Sequence, residues 1–317
     1  MTRYWLGRLV QAVVLVVGVS IVVFVVVRLA PGDPATLLAD PSFLSEQQRR
    51  ELRASLGLEE PWPVQYVKTM AGLLRGDLRS FRTRESTASM IANAVPVTFS
   101  VVFAGVVLAL ASSIPLGVAA AQQPGGWADR LLSVAIAVAL AFPTFVLALF
   151  LIRLLAEEWR LLPAGGFGPP GTTGFNPLVI LPHLVLPALV TAFPLGAILG
   201  RYVRDAVREV LAEDYVRTAH SKGLSPRVVQ WRHVFPNALV AVISVVGTVT
   251  PLLLGGAVIV ESLFGLPGLG RIAVQGALQR DYPVVIATTL FSAVLVVLGN
   301  LLTDLLYGVV DPRIRLH

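Results

Sequence analysis

The chain has 317 residues and no cysteine, which rules out disulfide frameworks, thiol catalysis and thiolate metal sites together. Charge is also scarce. Asp, Glu, Lys and Arg make up 14% of residues and hydrophobic residues 55%, against about 25% charged in an ordinary soluble domain. That is too little charge to clothe a soluble fold of this length. The 25 basic and 19 acidic residues leave a net charge of +6. Such an excess can mark nucleic-acid binding when it forms a patch; spread between long apolar runs, it sets orientation in a membrane. No G-x-x-x-x-G-K-[ST] occurs, so the chain has no P-loop and is not itself an ATPase. No G-x-S-x-G occurs either, which leaves an intramembrane serine hydrolase without a nucleophile elbow. An integral membrane protein remains.

A membrane-crossing helix needs about 20 mostly apolar residues, because the hydrocarbon core offers no water to an open backbone. Six stretches qualify: Leu9 to Val27, about Val95 to Ala121, Leu131 to Ile152, about Leu178 to Gly200, Val234 to Val260, and Tyr282 to Thr303. The first lacks a small-x-small cleavage site before Pro31 and reads as an uncleaved anchor. Basic residues then orient the chain. With the N-terminus inside, the inner segments hold Arg3 and Arg8, then Arg130, then seven between Arg201 and Arg232, and finally Arg313 and Arg315. The short outer loops hold only Arg153, Arg160, Arg271 and Arg280. Both termini are expected in the cytoplasm.

Two segments outside the spans carry structure of their own. In the long outer loop, Ser45 and Gln48 form a capping-box pattern, and the helix that follows should stop at Gly57. Val64, Val67, Met70, Leu73 and Leu74 are expected on one helical face before Gly76. This pair of helices suits either a rest on the membrane surface or a platform for an external partner. In the inner loop, Val203, Val207, Val210 and Leu211 repeat at helical spacing, and Glu213 can pair with Arg217. Gly223 supplies a stop, Ser225 an N-cap and Pro226 a first helical position. So tightly punctuated a helix–turn–helix suits a rigid lever moved by a soluble partner.

Other residues point to structure rather than chemistry. His183, His220, His233 and His317 lack metal-ligand spacing, and the glycines at 165–174 and 265–270 read as turns. Pro96, Pro115, Pro143, Pro187, Pro194 and Pro251 kink spans, either for packing or to shape a path. No span interior carries Asp, Glu, Lys or Arg. A proton- or ion-coupled carrier usually needs such a group, so a secondary transporter is the rival reading that charge placement disfavours; a passive channel is disfavoured less.

The inner loop resembles that of the permease subunits of bacterial ABC importers, whose motif reads roughly E-A-A-x3-G-x9-I-x-L-P. Ala219, Gly223 and Pro236 are in register; Arg217 replaces the leading Glu, and His233 and Phe235 replace the aliphatics. Features along the whole chain resemble the dipeptide/oligopeptide/nickel branch, as its first permease of the pair. They include Pro31-Gly32-Asp33-Pro34, Leu56-Gly57-Leu58, Gly76-Asp77, Gly165-Gly166 with His183, Leu186-Pro187-Ala188-Leu189, Asp214-Tyr215-Val216-Arg217-Thr218-Ala219 with Lys222-Gly223-Leu224, Phe264-Gly265, Pro267-Gly268-Leu269-Gly270, Arg280-Asp281-Tyr282-Pro283 and Asp311-Pro312-Arg313. Arg79 stands where the branch often has Gly.

The resemblance implies an all-α integral membrane fold with six transmembrane helices of the type I ABC importer kind. Its parts would be a tail and first helix (1–30), a folded extracytoplasmic loop (31–94), a permease core (95–310) with its coupling loop (201–236), and a cytoplasmic tail (311–317). It further implies a non-enzymatic half-pore in the bacterial inner membrane, importing di- or oligopeptides, or nickel complexes, glutathione-like or haem-like solutes. The partners would be a second homologous permease, two cytoplasmic ATPases and an extracytoplasmic solute-binding protein. No cofactor belongs to the chain itself, ATP and Mg being held by the ATPases, and no nucleic acid is involved. The ATPase-coupling residues would be Asp214, Tyr215, Arg217, Thr218, Ala219, Lys222, Gly223, Leu224, Ser225 and Pro236.

Overall fold

A computed structural model describes residues 2–32, 34–35, 45–169, 176–239, 247 and 257–310, with side chains within 6–305. Among these the chain is helical. The only extended pairing is an isolated bridge between Arg79 and Ser86. In order, the helices are α1 (Thr2–Leu29), α2 (Glu46–Ser55), α3 (Trp62–Arg75), α4 (Thr87–Gln122), α5 (Trp127–Ala141), α6 (Thr144–Leu151), α7 (Pro177–Leu211), α8 (Asp214–Ser221), α9 (Pro226–Val229), α10 (257–263), α11 (Leu269–Leu278) and α12 (Tyr282–Val310). Four are long and apolar enough to cross a membrane: Leu6–Leu29, Thr87–Gln122, Pro177–Leu211 and Tyr282–Leu305. The expected span over Val234–Val260 lies mostly outside the described residues.

The expected continuous span over Leu131–Ile152 is broken. α5 and α6, the latter prolonged by a π-helical stretch Ile152–Glu158, meet at a bend of 106°. The cause is Pro143. It has no N–H to continue the ladder, and it pushes the preceding residue out of the α region; Phe142 is accordingly extended, at φ −105° and ψ 125°. Taken together, the two pieces form at most a fifth span.

The chain forms two compact units, Met1–Thr98 with Pro267–Val297, and Phe99–Leu266 with Leu298–His317. In the first, Phe24 of α1 and Ile286 and Leu290 of α12 make a core joined by Tyr66, Met70 and Leu73 of α3. The Tyr66 and Ser20 hydroxyls lie 2.7 Å apart. The capping box is present in full: Gln48 N–H donates to Ser45 Oγ (3.2 Å), and Ser45 N–H to Gln48 Oε1 (2.9 Å). Gly57 ends α2 at φ +68°. The five apolar residues expected on one face of α3 divide instead. Met70 and Leu73 pack on the core, while Val64, Val67 and Leu74 are exposed. The inner side also takes Gln65 and Tyr66, which the apolar count alone does not select.

The Arg280-Asp281-Tyr282 motif holds the same unit together. The Arg280 guanidinium occupies the place a Cβ would take on Gly32, and Tyr282 Oη donates to Gly32 O at 3.4 Å. The Asp281 carboxylate accepts from Ser80 Oγ and from the Phe81 N–H at 3.0 Å.

In the second unit, small residues let long helices approach closely, the usual device where lipid offers no hydrophobic drive. A Cβ on Gly117 of α4 would stand 2.7 Å from Val203 Cβ and 2.8 Å from Gly200 O of α7. Gly165 is equally constrained, since its Cβ would lie 2.4 Å from Phe264 O. His183 Nδ1 is 3.0 Å from Gly165 O, and Gly166 N–H donates to Phe264 O at 2.7 Å. His183, Gly165-Gly166 and Phe264-Gly265 are thus one packed corner.

Candidate coupling loop

α7 runs unbroken from Pro177 to Leu211, past Pro182, Pro187 and Pro194. The periodic face expected at 203–211 is therefore its last three turns: Val203 and Val207 are fully buried, with Val210 and Leu211 packed beside them. The chain then breaks at Ala212–Glu213 and starts α8. Glu213 is the N-cap, extended at φ −69° and ψ 144°. This position takes it off the helix, so the expected Glu213–Arg217 pair does not form; Arg217 Nη1 lies 3.5 Å from Asp214 Oδ1 instead.

α8 has eight residues and two of them, Val216 and Ala219, are buried. They join Val203, Val207, Val118, Ala121, Val229, Val234 and Ala238 in a single cluster. Ala219 is 6% exposed. The other candidate residues, Asp214, Tyr215, Arg217, Thr218, Lys222, Gly223, Leu224, Ser225 and Pro236, are all exposed. The loop therefore presents a polar outer face and is fixed to the bundle by two small apolar side chains one turn apart. Burial, and then Glu213, push the Tyr215 phenol above its ordinary pKa, so it stays neutral across the physiological range.

The stop after α8 is a Schellman motif. Gly223 N–H donates to His220 O at 2.9 Å and Leu224 N–H to Ala219 O at 3.4 Å, with Gly223 at φ +79°. A Cβ on Gly223 would meet nothing within 4 Å. Ser225 occupies the N-cap of α9 and Pro226 its first position, although the serine hydroxyl makes no capping bond. A π-helical stretch, Gln230–Val234, carries the chain on. Beside His220, near the end of α8, a cavity of about 590 Å³ is lined among others by Val118, Gln122, Leu211, Gln230 and Trp231.

One interaction was not readable from sequence. Asp129, at the start of α5, accepts from Arg204 Nη1 and Arg208 Nη2 of α7, each at 3.0 Å, and from Gly125 N–H at 2.9 Å. Arg208 Nη2 also donates to Ala120 O at 3.1 Å. Two of the seven basic residues counted in this loop are thus bound inside the protein. At the Phe142–Pro143 bend, a cavity of about 300 Å³ is lined by Val138, Phe142, Thr144, Leu147, Phe150, Phe193 and Pro194. Among the described residues, no three His, Asp or Glu side chains gather as a metal site.

Residues 113–316 match the family described as binding-protein-dependent transport system inner membrane component, and residues 1–102 match its N-terminal counterpart. The chain belongs to this family. It is an ABC importer permease and not an enzyme. It is 39% identical over 317 residues to the oligopeptide transport system permease protein AppB of Bacillus subtilis, covering 99% of this chain and 100% of that one. It is 37% identical over 313 residues to a probable peptide ABC transporter permease, y4tP, of Sinorhizobium fredii, covering 98% and 99%. Its fold is similar to a chain of the MetNI methionine ABC transporter in an inward-facing form. The TM-score is 0.57 at 16% identity, covering 71% of this chain and 97% of that one.

Proposed function

We propose that this permease forms half of the translocation pore of an ATP-driven importer of di- or oligopeptides. It would pair with a second homologous permease, two cytoplasmic ATPases and an extracytoplasmic solute-binding protein. It would span the bacterial inner membrane six times, with both termini inside. The peptide cargo rests on relatives named as oligopeptide and peptide permeases that match over almost their full length.

The observation that carries the coupling assignment is the build of α8. Its inner face, through Val216 and Ala219, joins one cluster with Val203 and Val207 of α7, Val118 and Ala121 of α4 and Val229 of α9, its outer face is polar, and it ends on a glycine turn. Such an element can be pushed as a body by a soluble subunit and can hand the displacement to α7. Alternating access would use this contact as its two-state interface. Asp214, Tyr215, Arg217, Thr218, Lys222, Gly223, Leu224, Ser225 and Pro236 would meet the ATPase, and Ala219 would hold α8 from behind.

The test is reconstitution with the native partners in proteoliposomes. Uptake of a dipeptide or oligopeptide should require ATP and persist when the proton gradient is collapsed. Loss of uptake with ATP present and the gradient collapsed would support a secondary carrier. Uptake of nickel complexes, glutathione or haem in place of peptide would move the chain to another cargo within the same branch.

A further inference from the structure

We propose that α3 is not an aqueous platform but an interfacial helix seated in the outer leaflet, with Val67 and Leu74 in contact with lipid acyl chains. The inference rests on the proposed orientation of α1. The charge-free stretch of α1 ends at Arg28, and Ser20 lies eight residues before it, about 12 Å deeper at 1.5 Å per residue. The Tyr66 hydroxyl reaches that depth, 2.7 Å from Ser20 Oγ, and its ring packs edge-on against Phe24 at 5.4 Å. Met70 and Leu73 pack on the same cluster, which also holds Ile286 and Leu290 of α12. These two lie four and eight residues inside the start of α12, about 6 and 12 Å deep. The underside of α3 is therefore below the level of the headgroups.

The rest of the helix follows from its period. Val67 and Leu74 each come one residue after Tyr66 and Leu73, and so project about 100° around the axis from the downward side chains. They point along the plane of the membrane. They are 63% and 88% exposed. Lys68 and Arg75, one further residue on, rotate by another 100° or so to the top, where Glu60 pairs with Lys68. Gln65 is buried on the opposite flank and donates to Leu58 O at 3.2 Å. The order around the helix is thus core below, exposed apolar flank, charge above. That is the pattern of a helix lying in an interface. α1 likewise leaves Val22, Val26 and Leu29 open on the side away from Phe24, as a lipid-facing helix would.

The natural absence of cysteine allows a direct test. Single variants Val67→Cys and Leu74→Cys would carry a nitroxide in the assembled transporter, held in phosphatidylethanolamine–phosphatidylglycerol nanodiscs. Collision rates with molecular oxygen and with a water-soluble nickel chelate are then compared. Oxygen should dominate at 67 and 74, as at the α1 controls Val22→Cys and Val26→Cys, and the chelate should dominate at Arg50→Cys on α2. Adding the binding protein should leave 67 and 74 unchanged. Chelate dominance at 67 and 74 would overturn the inference while the α1 controls keep the membrane reading. Chelate dominance at Val22 and Val26 would overturn the orientation itself. Loss of both collisions at 67 and 74, either before or after the binding protein is added, would assign the flank to a protein partner instead.

Discussion

Replacing Gly223 with alanine isolates the joint at the end of α8, because the change alters backbone preference without altering contacts. A Cβ at this position would meet nothing within 4 Å, so any penalty comes from holding an L-residue at φ +79°. That penalty is about 1–2 kcal/mol, equivalent to a roughly 5- to 30-fold lower occupancy of the turn. Asparagine tolerates this region better and should lose less. Proline should lose most, since it cannot reach a positive φ and has no N–H for His220 O, which Gly223 N–H now contacts at 2.9 Å. Within this chain nothing is there for leucine to collide with, so any loss beyond that of alanine reports the proposed ATPase contact. The assay is substrate uptake per ATP hydrolysed by the complete transporter in proteoliposomes. It should fall in the order glycine, asparagine, alanine, proline at constant yield of assembled complex. Equal coupling across the series would refute the role of the turn. A loss that grows from alanine to leucine would add a steric contact with the ATPase to the strain of the turn.

Three further outcomes follow from the same geometry. Asp129→Asn should lower the melting temperature of the purified complex, and combining it with Arg204→Gln should cost less than the sum of the single changes, read by a double-mutant cycle. Gly165→Ala should reduce the folded yield more than Gly223→Ala does, because its Cβ would lie 2.4 Å from a backbone oxygen; on the overpacking scale that is about 1–3 kcal/mol or more. Tyr215→Phe should leave the pH profile of uptake unchanged between about pH 6 and 9, since the phenol's raised pKa keeps it neutral there.

What the sequence makes legible is local. The capping box at Ser45 and Gln48, the stops at Gly57 and Gly223, and the apolar stretches of α1, α4, α7 and α12 depend on residues within a few turns of one another. The break at Phe142 lies inside a charge-free run, so hydropathy passes over it and only Pro143 marks it. Asp129 meets Arg204 and Arg208 across 75 and 79 residues. Counted along the chain, those arginines look like part of a basic docking face. The Glu213–Arg217 spacing fits a helix, but the helix starts one residue too late for it. Ala219 carried no orientation signal, because two apolar positions in an eight-residue helix are too few to define a face. Its burial depends on Val203 and Val207, which lie on another helix.

The burial of Ala219 decides which way a displacement of α8 travels. On its inner side α8 shares one buried cluster with Val203 and Val207 of α7, Val118 and Ala121 of α4 and Val229 of α9, and Val203 lies where Gly117 could not carry even a methyl group. Close-packed interiors transmit strain and do not absorb it. The Gly223 turn itself has open space around it and adds no contact of its own within the chain. Motion imposed on the polar face should therefore pass through that cluster into α7. Ala219→Leu tests this directly. Three added carbons at a position 6% exposed overpack the contact, at a cost of about 1–3 kcal/mol, and relief requires α8 to lift from α7. ATP hydrolysis stimulated by the binding protein should then separate from uptake, while Thr218→Leu, on the exposed neighbour, should stay within about 0.5 kcal/mol of the parent in stability. If Thr218→Leu uncoupled the transporter and Ala219→Leu did not, the outward surface of α8 would carry the coupling, and its anchorage to α7 would be incidental.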